Sequence, residues 1–406
     1  MLRDVVVVGA SLAGLRAAET LRTDGFDGRL AVVGAETHLP YDRPPLSKTV
    51  LAGEWEPDRI HLRKPDEYDD LEFDFHLGVK AVGLDTAAHQ VHLSDGSSLA
   101  FDGLVIATGA APRRLPGQPE LPGIYELRTL DDSLALRRAL EEGPRRVVVV
   151  GAGFIGAEVA ATARSRGLEV SLVEALPVPL ARGLGPALGA ASGELHRARG
   201  VDVRLGVGVE AMEGSERVER IRLTDGTVLE ADVVVVGVGV APVTDWLEGS
   251  GLELRDGVVC DATLASGPPG VYAAGDLARW PNELFGEEMR VEHWTNAAEQ
   301  GAAAARNLLA SGAGGTGTAY APVPFFWSDQ FDARIQFLGR AGGDDDVEVV
   351  HGALDSTQFV ALYGRAGRFR GVFGLSSPKL VMRYRKLLLG GTSWEEALAF
   401  ARQQEA

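Results

Sequence analysis

One pattern of apolar and polar positions occurs twice along the chain. Val5 to Val8 is an unbroken apolar run, as a parallel strand buried on both faces requires. The turn Gly9-Ala10-Ser11-Leu12-Ala13-Gly14 follows, then a helical stretch to about Leu21 and a second apolar run, Leu30 to Val33, with Glu36 just beyond. The pattern returns at Val147 to Val150, with the turn Gly151-Ala152-Gly153-Phe154-Ile155-Gly156 and a helix to about Arg166. The strand after it, Val170 to Val173, ends at Glu174, and a further strand is expected at Val233 to Val236, ahead of Gly237 and Gly239. Such self-similarity predicts two copies of one supersecondary unit.

The unit has a specific chemistry. Its first glycine makes a tight turn, the second lets backbone N–H groups approach a pyrophosphate, and the third lets the helix pack on the strand. The helix N-terminus offers unpaired donors to the phosphates, and the acid about 20 residues on takes ribose hydroxyls. In the first copy Ser11 replaces the middle glycine, which narrows the approach but adds a hydroxyl. Two such sites predict two dinucleotides, and NAD with FAD is the economical pair, because a flavin accepts a hydride from a nicotinamide held against it.

Length and composition limit the alternatives. At roughly 150 residues per domain, 406 residues predict two to three domains. No apolar stretch approaches the roughly 18 residues of a membrane span, and the first strand begins by Val5, which leaves no room for a leader. A cytoplasmic protein is expected. Cys260 is the one cysteine, read as a small core residue, so no thiol pair is available to shuttle electrons. No metal site is expected.

The net charge of −17 argues against nucleic acid as a partner. From Pro322 onward, however, ten acidic side chains face ten basic ones, so the surplus lies in the first 321 residues. A basic cluster stands out in this last part: Arg365, Arg368, Arg370, Lys379, Arg383, Arg385 and Lys386.

Several segments carry a family resemblance: Pro40-Tyr41-Asp42-Arg43-Pro44-Pro45-Leu46-Ser47-Lys48, Leu104 to Gly109, Leu127 to Asp132, Val271 to Asp276, Trp294 to Gly301, and Phe326-Trp327-Ser328-Asp329-Gln330. In this order they resemble the NADH-dependent ferredoxin reductases of oxygenase systems, over nearly the whole chain. The resemblance implies an α/β fold of glutathione-reductase-like architecture, with two Rossmann-like dinucleotide-binding domains and a C-terminal α/β domain. A FAD-binding domain is expected from 1–110 and 241–321, with an NAD-binding domain at 111–240 inserted and a C-terminal domain at 322–406. The small-residue stretch Ser311 to Thr318 reads as the linker into that last domain.

The resemblance also implies roles. Lys48 is expected by the flavin ring, with Glu158 facing it and the nicotinamide carboxamide, and Trp327 near the isoalloxazine. Arg128 and Asp276 are expected to bind FAD, with Trp294 along the ring's edge. Arg43, Ala81, Thr108, Gly109, Gly275, Glu292 and His293 complete the expected FAD contacts beside the first glycine turn. Ala35 stands where the family often has the ribose-binding acid, so Glu36 is the expected substitute. Gly237 and Gly239 join the second turn and Glu174 on the NADH side.

The implied activity is transfer of electrons from NADH through FAD to a small ferredoxin of the two-iron type, which serves a haem monooxygenase or a Rieske dioxygenase. The ferredoxin is expected to dock on the C-terminal part, through Arg365, Arg368, Arg370, Arg383 and Arg385. A disulfide or peroxide reductase of the same architecture is excluded by the missing cysteines. A rubredoxin or quinone reductase would share fold and flavin site, and the apoptosis-inducing factors resemble this fold while using NADH binding mainly to control association.

Overall fold

The computed structural model describes residues 2–404. Backbone contacts divide the chain into two compact units. The first holds residues up to Asp42 with Ile60–Ala111 and Ala241–Pro324, and the second holds Arg43–Arg59, Pro112–Val240 and everything from Phe325 onward.

The first unit is built on a five-stranded sheet in the order Val271–Ala273, Gly103–Ile106, Asp4–Val8, Arg29–Gly34, Asp74–Leu77. All four pairings are parallel. The central run Val5 to Val8 is at most 2% exposed, as the middle strand of a parallel sheet covered on both faces requires. The Leu12–Thr23 helix follows the first glycine turn. It packs closely on the Trp294–Gly312 helix, where a Cβ on Gly301 would lie 2.1 Å from the Ala13 carbonyl oxygen.

The second unit repeats that core. Its parallel sheet runs Asp202–Leu205, Glu169–Glu174, Arg146–Val150, Val233–Val236, Ile124–Tyr125. The two copies agree in register: Val5 aligns with Leu30 and Gly103, as Val147 aligns with Val170 and Val233. The unbroken apolar runs ahead of the two glycine turns therefore located both sheets' central strands.

This unit also contains an antiparallel sheet in the order Phe325–Gln330, Ala333–Gly339, Arg368–Leu375, Phe359–Arg365, Asp346–Gly352, followed by three helices ending at Gln403. One core unites its inner face with the Ala181–Arg197 helix: Leu180, Leu184 and Leu188 pack with Ile335, Phe337, Phe359, Tyr363 and Phe373. Tyr363 Oη donates to the Leu184 carbonyl at 2.7 Å, which holds the first turn of that element on the sheet, just before Gly185 (φ +72°) interrupts the helical backbone.

The segment Arg43–Arg59 belongs to the second unit by a local cause. Its backbone carbonyls at Leu46, Ser47 and Leu51 accept from Ser133, Thr162 and Arg166, which lie on or at the ends of two of that unit's helices. The expected linker begins later than its composition suggested, since Ser311 and Gly312 form the last turn of the Trp294–Gly312 helix. Gly312 packs there on the Leu2 side chain, which would have to shift to admit a Cβ. Among the described residues, no helix is long and apolar enough to cross a membrane.

Candidate functional site

The two glycine turns have matching geometry. Gly9 and Gly151 adopt φ of +121° and +98°, a region that favours glycine. A Cβ at either would lie 2.1 Å from the Ala107 oxygen or 2.3 Å from the Gly237 oxygen. Gly14 and Gly156 are equally crowded, 1.7 and 2.0 Å from the carbonyls of Gly9 and Gly151. Gly153 differs: at the N-cap of the Phe154–Ser165 helix, a Cβ there would meet nothing within 4 Å. The crowded glycines close helix on strand and the open one leaves space at the helix start. That is the shape a pyrophosphate needs. In the first copy Ser11 is the corresponding N-cap, leading into Leu12 and Ala13. The residues present thus fit a dinucleotide at each turn.

Each turn has its acid. Glu174 Oε2 accepts from the Ala152 N–H and Oε1 from the Leu176 N–H, both at 2.8 Å, so the carboxylate is locked against the second turn. Glu36 accepts from the Tyr41 hydroxyl. Ile155 follows Phe154 at the helix start and is 38% exposed, and Gly237 and Gly239 follow the Val233–Val236 strand.

The structure places the other expected FAD residues of the first unit as follows. Thr108 Oγ1 donates to the Val243 carbonyl at 2.7 Å, and the Gly109 carbonyl accepts from the Val243 N–H at 2.9 Å. The Gly275 N–H donates to Gln300 Oε1 at 2.8 Å, and the carbonyl of the next residue, Asp276, accepts from Arg290. Arg290 also donates to Glu292 at 2.6 Å. His293 is the N-cap of the Trp294–Gly312 helix, and Trp294 Nε1 donates to Asp42 Oδ1 at 2.6 Å. Ala81 opens the Ala81–Asp85 strand.

In the second unit Arg43 donates to the Arg128 carbonyl. Arg128 precedes Thr129, the N-cap of the Leu130–Glu141 helix, whose capping box joins Thr129 and Asp132. Trp327 lies on the Phe325–Gln330 strand, stacked with Phe325 at 6.1 Å.

Lys48 and Glu158, 110 residues apart, form an ion pair of 2.8 Å, with side chains 19% and 7% exposed. Ser47 Oγ donates to the same carboxylate oxygen, and Ser328 Oγ donates to the other at 2.8 Å. Gln330 Nε2 donates to Ser328 Oγ at 3.1 Å, and His196 Nε2 meets Gln330 Oε1 at 3.0 Å. Ser47, Ser328, Gln330 and His196 were absent from the candidates read in the sequence. Ser47, Ser328 and Gln330 nevertheless stand within the segments that carried the resemblance, and that was the available signal.

Family models match twice: pyridine nucleotide-disulphide oxidoreductase over residues 3–301 and a reductase C-terminal domain over residues 325–404. The chain belongs to the pyridine nucleotide-disulphide oxidoreductase family. Within that family it is similar to rhodocoxin reductase of Rhodococcus erythropolis, with 36% identity over 95% of this chain and 89% of the relative. It is similar also to the ferredoxin reductase subunit of a 5,5'-dehydrodivanillate O-demethylase from a Sphingobium species, with 38% identity over 96% and 94%. Among solved structures, putidaredoxin reductase in its covalent complex with putidaredoxin matches with a TM-score of 0.90 and 34% identity, over 96% of this chain and 93% of that one.

This member of the family has no disulphide chemistry available within the chain. Cys260 is its single cysteine and is 6% exposed. Burial, with Asp261 nearby, pushes its thiol up to about 12.

The basic cluster is more divided than its composition implied. Arg365 Nε is paired with Asp345 at 2.6 Å and Arg370 is half-buried, so neither is simply presented to solvent. Arg368, Lys379, Arg383, Arg385 and Lys386 are exposed, although Arg383 also donates to Gln404. Met382, 43% exposed, lies between Lys379 and Arg383 in the chain, and Leu389, 53% exposed, follows Lys386 by three residues.

Proposed function

We propose that this chain is a FAD-containing, NADH-dependent reductase that passes electrons to a small iron-sulfur ferredoxin serving an oxygenase. The observation that carries the reading is a pair of dinucleotide turns in a chain with no available thiol, alike over nine-tenths of its length to reductases named for such systems.

Bound flavin supplies the conversion of a two-electron hydride donor into single electrons, and the protein supplies orientation and electrostatics. The turn from Gly9 to Gly14 and the residues Glu36, Thr108, Gly275 and Asp276 hold FAD in this reading. The turn from Gly151 to Gly156 takes the pyrophosphate of NADH, and Glu174 takes its ribose hydroxyls and repels a 2′-phosphate. Lys48 and Glu158 face the nicotinamide and the flavin, with Trp327 shielding the ring. The FAD-binding domain then comprises 1–110 and 241–321, the NAD-binding domain 111–240 and the C-terminal domain 322–406. A cytoplasmic site of action agrees with a chain in which no described helix could span a membrane.

The purified protein should be yellow, with one FAD per chain that denaturation releases, and NADH added without oxygen should bleach the flavin band. A preparation that refolds with no flavin, or a flavin that NADH leaves oxidised, would contradict the proposal.

A further inference from the structure

Glu158 stands at the end of a buried hydrogen-bonded arm. Ser328, Gln330 and His196 are each fully buried, and they are joined to one another and to Glu158 Oε1 by contacts of 2.8 to 3.1 Å. The donors have one consistent direction. Gln330 Oε1 can only accept, so the His196 nitrogen facing it, Nε2, carries the proton. Gln330 Nε2 donates onward to Ser328, and the Ser328 hydroxyl is left to donate to the carboxylate. With the Gln330 amide reversed, the Ser328 hydroxyl would be spent on Gln330 and Glu158 would lose a donor. Burial, with Arg199 acting in the same sense, holds the His196 imidazole below its ordinary value against the opposing Gln330 bond, which favours the neutral ring that this tautomer requires.

The arm is anchored at both ends. Glu158 lies on the helix that starts at the second glycine turn, and His196 lies on the helical stretch after Gly185, which shares a core with the C-terminal sheet through Leu188 and Leu195. Ser328 and Gln330 are two residues apart on one strand of that sheet and so share its face. His196 Nδ1 is buried with no partner among the described residues. A fully apolar packing would have avoided that orphan, so the sequence maintains a polar connection here at a cost in stability.

We propose that Ser328 and Gln330, braced by His196, are positioning residues that hold the Glu158 carboxylate against Lys48 for nucleotide binding and hydride transfer. This rests on the reading that Glu158 faces the nicotinamide. The C-terminal sheet thereby acts on the nucleotide half of the reaction as well as on the acceptor half.

The test is a double-mutant cycle on the FAD-loaded protein. Ser328→Ala, Gln330→Met and Glu158→Ala are made singly, and the first two are also combined with Glu158→Ala. The readouts are the NAD+ dissociation constant, measured without turnover, the rate of flavin reduction by NADH, and the imidazole 15N spectrum. Ser328→Ala and Gln330→Met should each weaken NAD+ binding or slow reduction by about tenfold, because a hydrogen bond to a charged group is lost. They should have less than about a twofold further effect once Glu158 is alanine. Ser328→Thr, which keeps the hydroxyl, should restore most of the loss. Equal losses with and without the Glu158 carboxylate, or no loss in either single variant, would overturn the proposal. If Glu158→Ala alone changes neither binding nor reduction, the assignment of Glu158 to the nicotinamide fails instead. A shift of the His196 resonance in that variant would then show that the arm exists without that role.

Discussion

Lys48 Nζ lies 2.8 Å from Glu158 Oε2, joining the segment after the Arg43-Pro44-Pro45 stretch to the helix of the second glycine turn. A dithiol reductase of this architecture needs redox cysteines beside the flavin, and here a charged pair is proposed to stand in that neighbourhood. The single thiol is buried and raised to about 12, and hence protonated at neutral pH. Cys260→Ser should leave electron transfer within about threefold of the parent. A loss above about tenfold, equivalent to roughly 1.4 kcal/mol of barrier, in a folded, flavin-loaded variant would reopen a thiol route.

The second turn separates two kinds of glycine. Gly156→Ala would force a methyl 2.0 Å from the Gly151 carbonyl, so it should lower the melting temperature sharply or abolish soluble expression. Gly153→Ala meets open space and should change stability by no more than about 1 kcal/mol, yet it should weaken NAD+ binding by about tenfold as the methyl enters the approach path of the phosphate. Calorimetry alongside nucleotide titration checks both. If Gly153→Ala bound NAD+ as the parent does, the pyrophosphate would have to sit elsewhere.

Glu174 is locked by two backbone donors, and its charge is fixed at the end of the Glu169–Glu174 strand. NADH should therefore exceed NADPH in kcat/KM, and Glu174→Ala should narrow the ratio by removing the repulsion of the 2′-phosphate. Steady-state kinetics with both nucleotides measure this, and a parent that favours NADPH would remove the role given to Glu174.

Both turns were legible in the sequence because their requirements are local: a glycine that cannot carry a Cβ is specified by neighbours within one strand and one helix. The pair Lys48 and Glu158 was legible only through the resemblance. The arm behind it was not, because Ser328 and His196 meet their partners across 170 and 134 residues, and isolated polar residues carry no periodic signal. Small residues misled the linker boundary for a related reason. Gly312 is small because Leu2 packs against it, a tertiary demand that composition reads as flexibility. Arg365 was counted with the basic surface because its partner Asp345 sits on another part of the hairpin region, invisible to a local charge count.

The exposed basic side chains of the C-terminal part should govern the acceptor step. The protein carries −17 overall, so an acidic ferredoxin is repelled at long range and needs a local positive face. Reversing Arg368, Arg383 and Arg385 together to Glu should raise the ferredoxin KM and weaken its salt dependence, while reduction of ferricyanide stays nearly unchanged. Arg365 is excluded from this set because its loss would strand Asp345. Equal loss with both acceptors would mean that these residues support folding, and no loss with either would put the docking face elsewhere.

The most direct measurement is anaerobic NADH oxidation by the FAD-loaded protein with a purified two-iron ferredoxin as acceptor, followed at both the nucleotide and the iron-sulfur absorbance. Two ferredoxins should be reduced for each NADH consumed, at a steady rate on the order of ten per second. Flavin reduction by NADH and transfer to ferricyanide with no reduction of any small iron-sulfur protein would contradict the account and favour a protein in which NADH binding serves association.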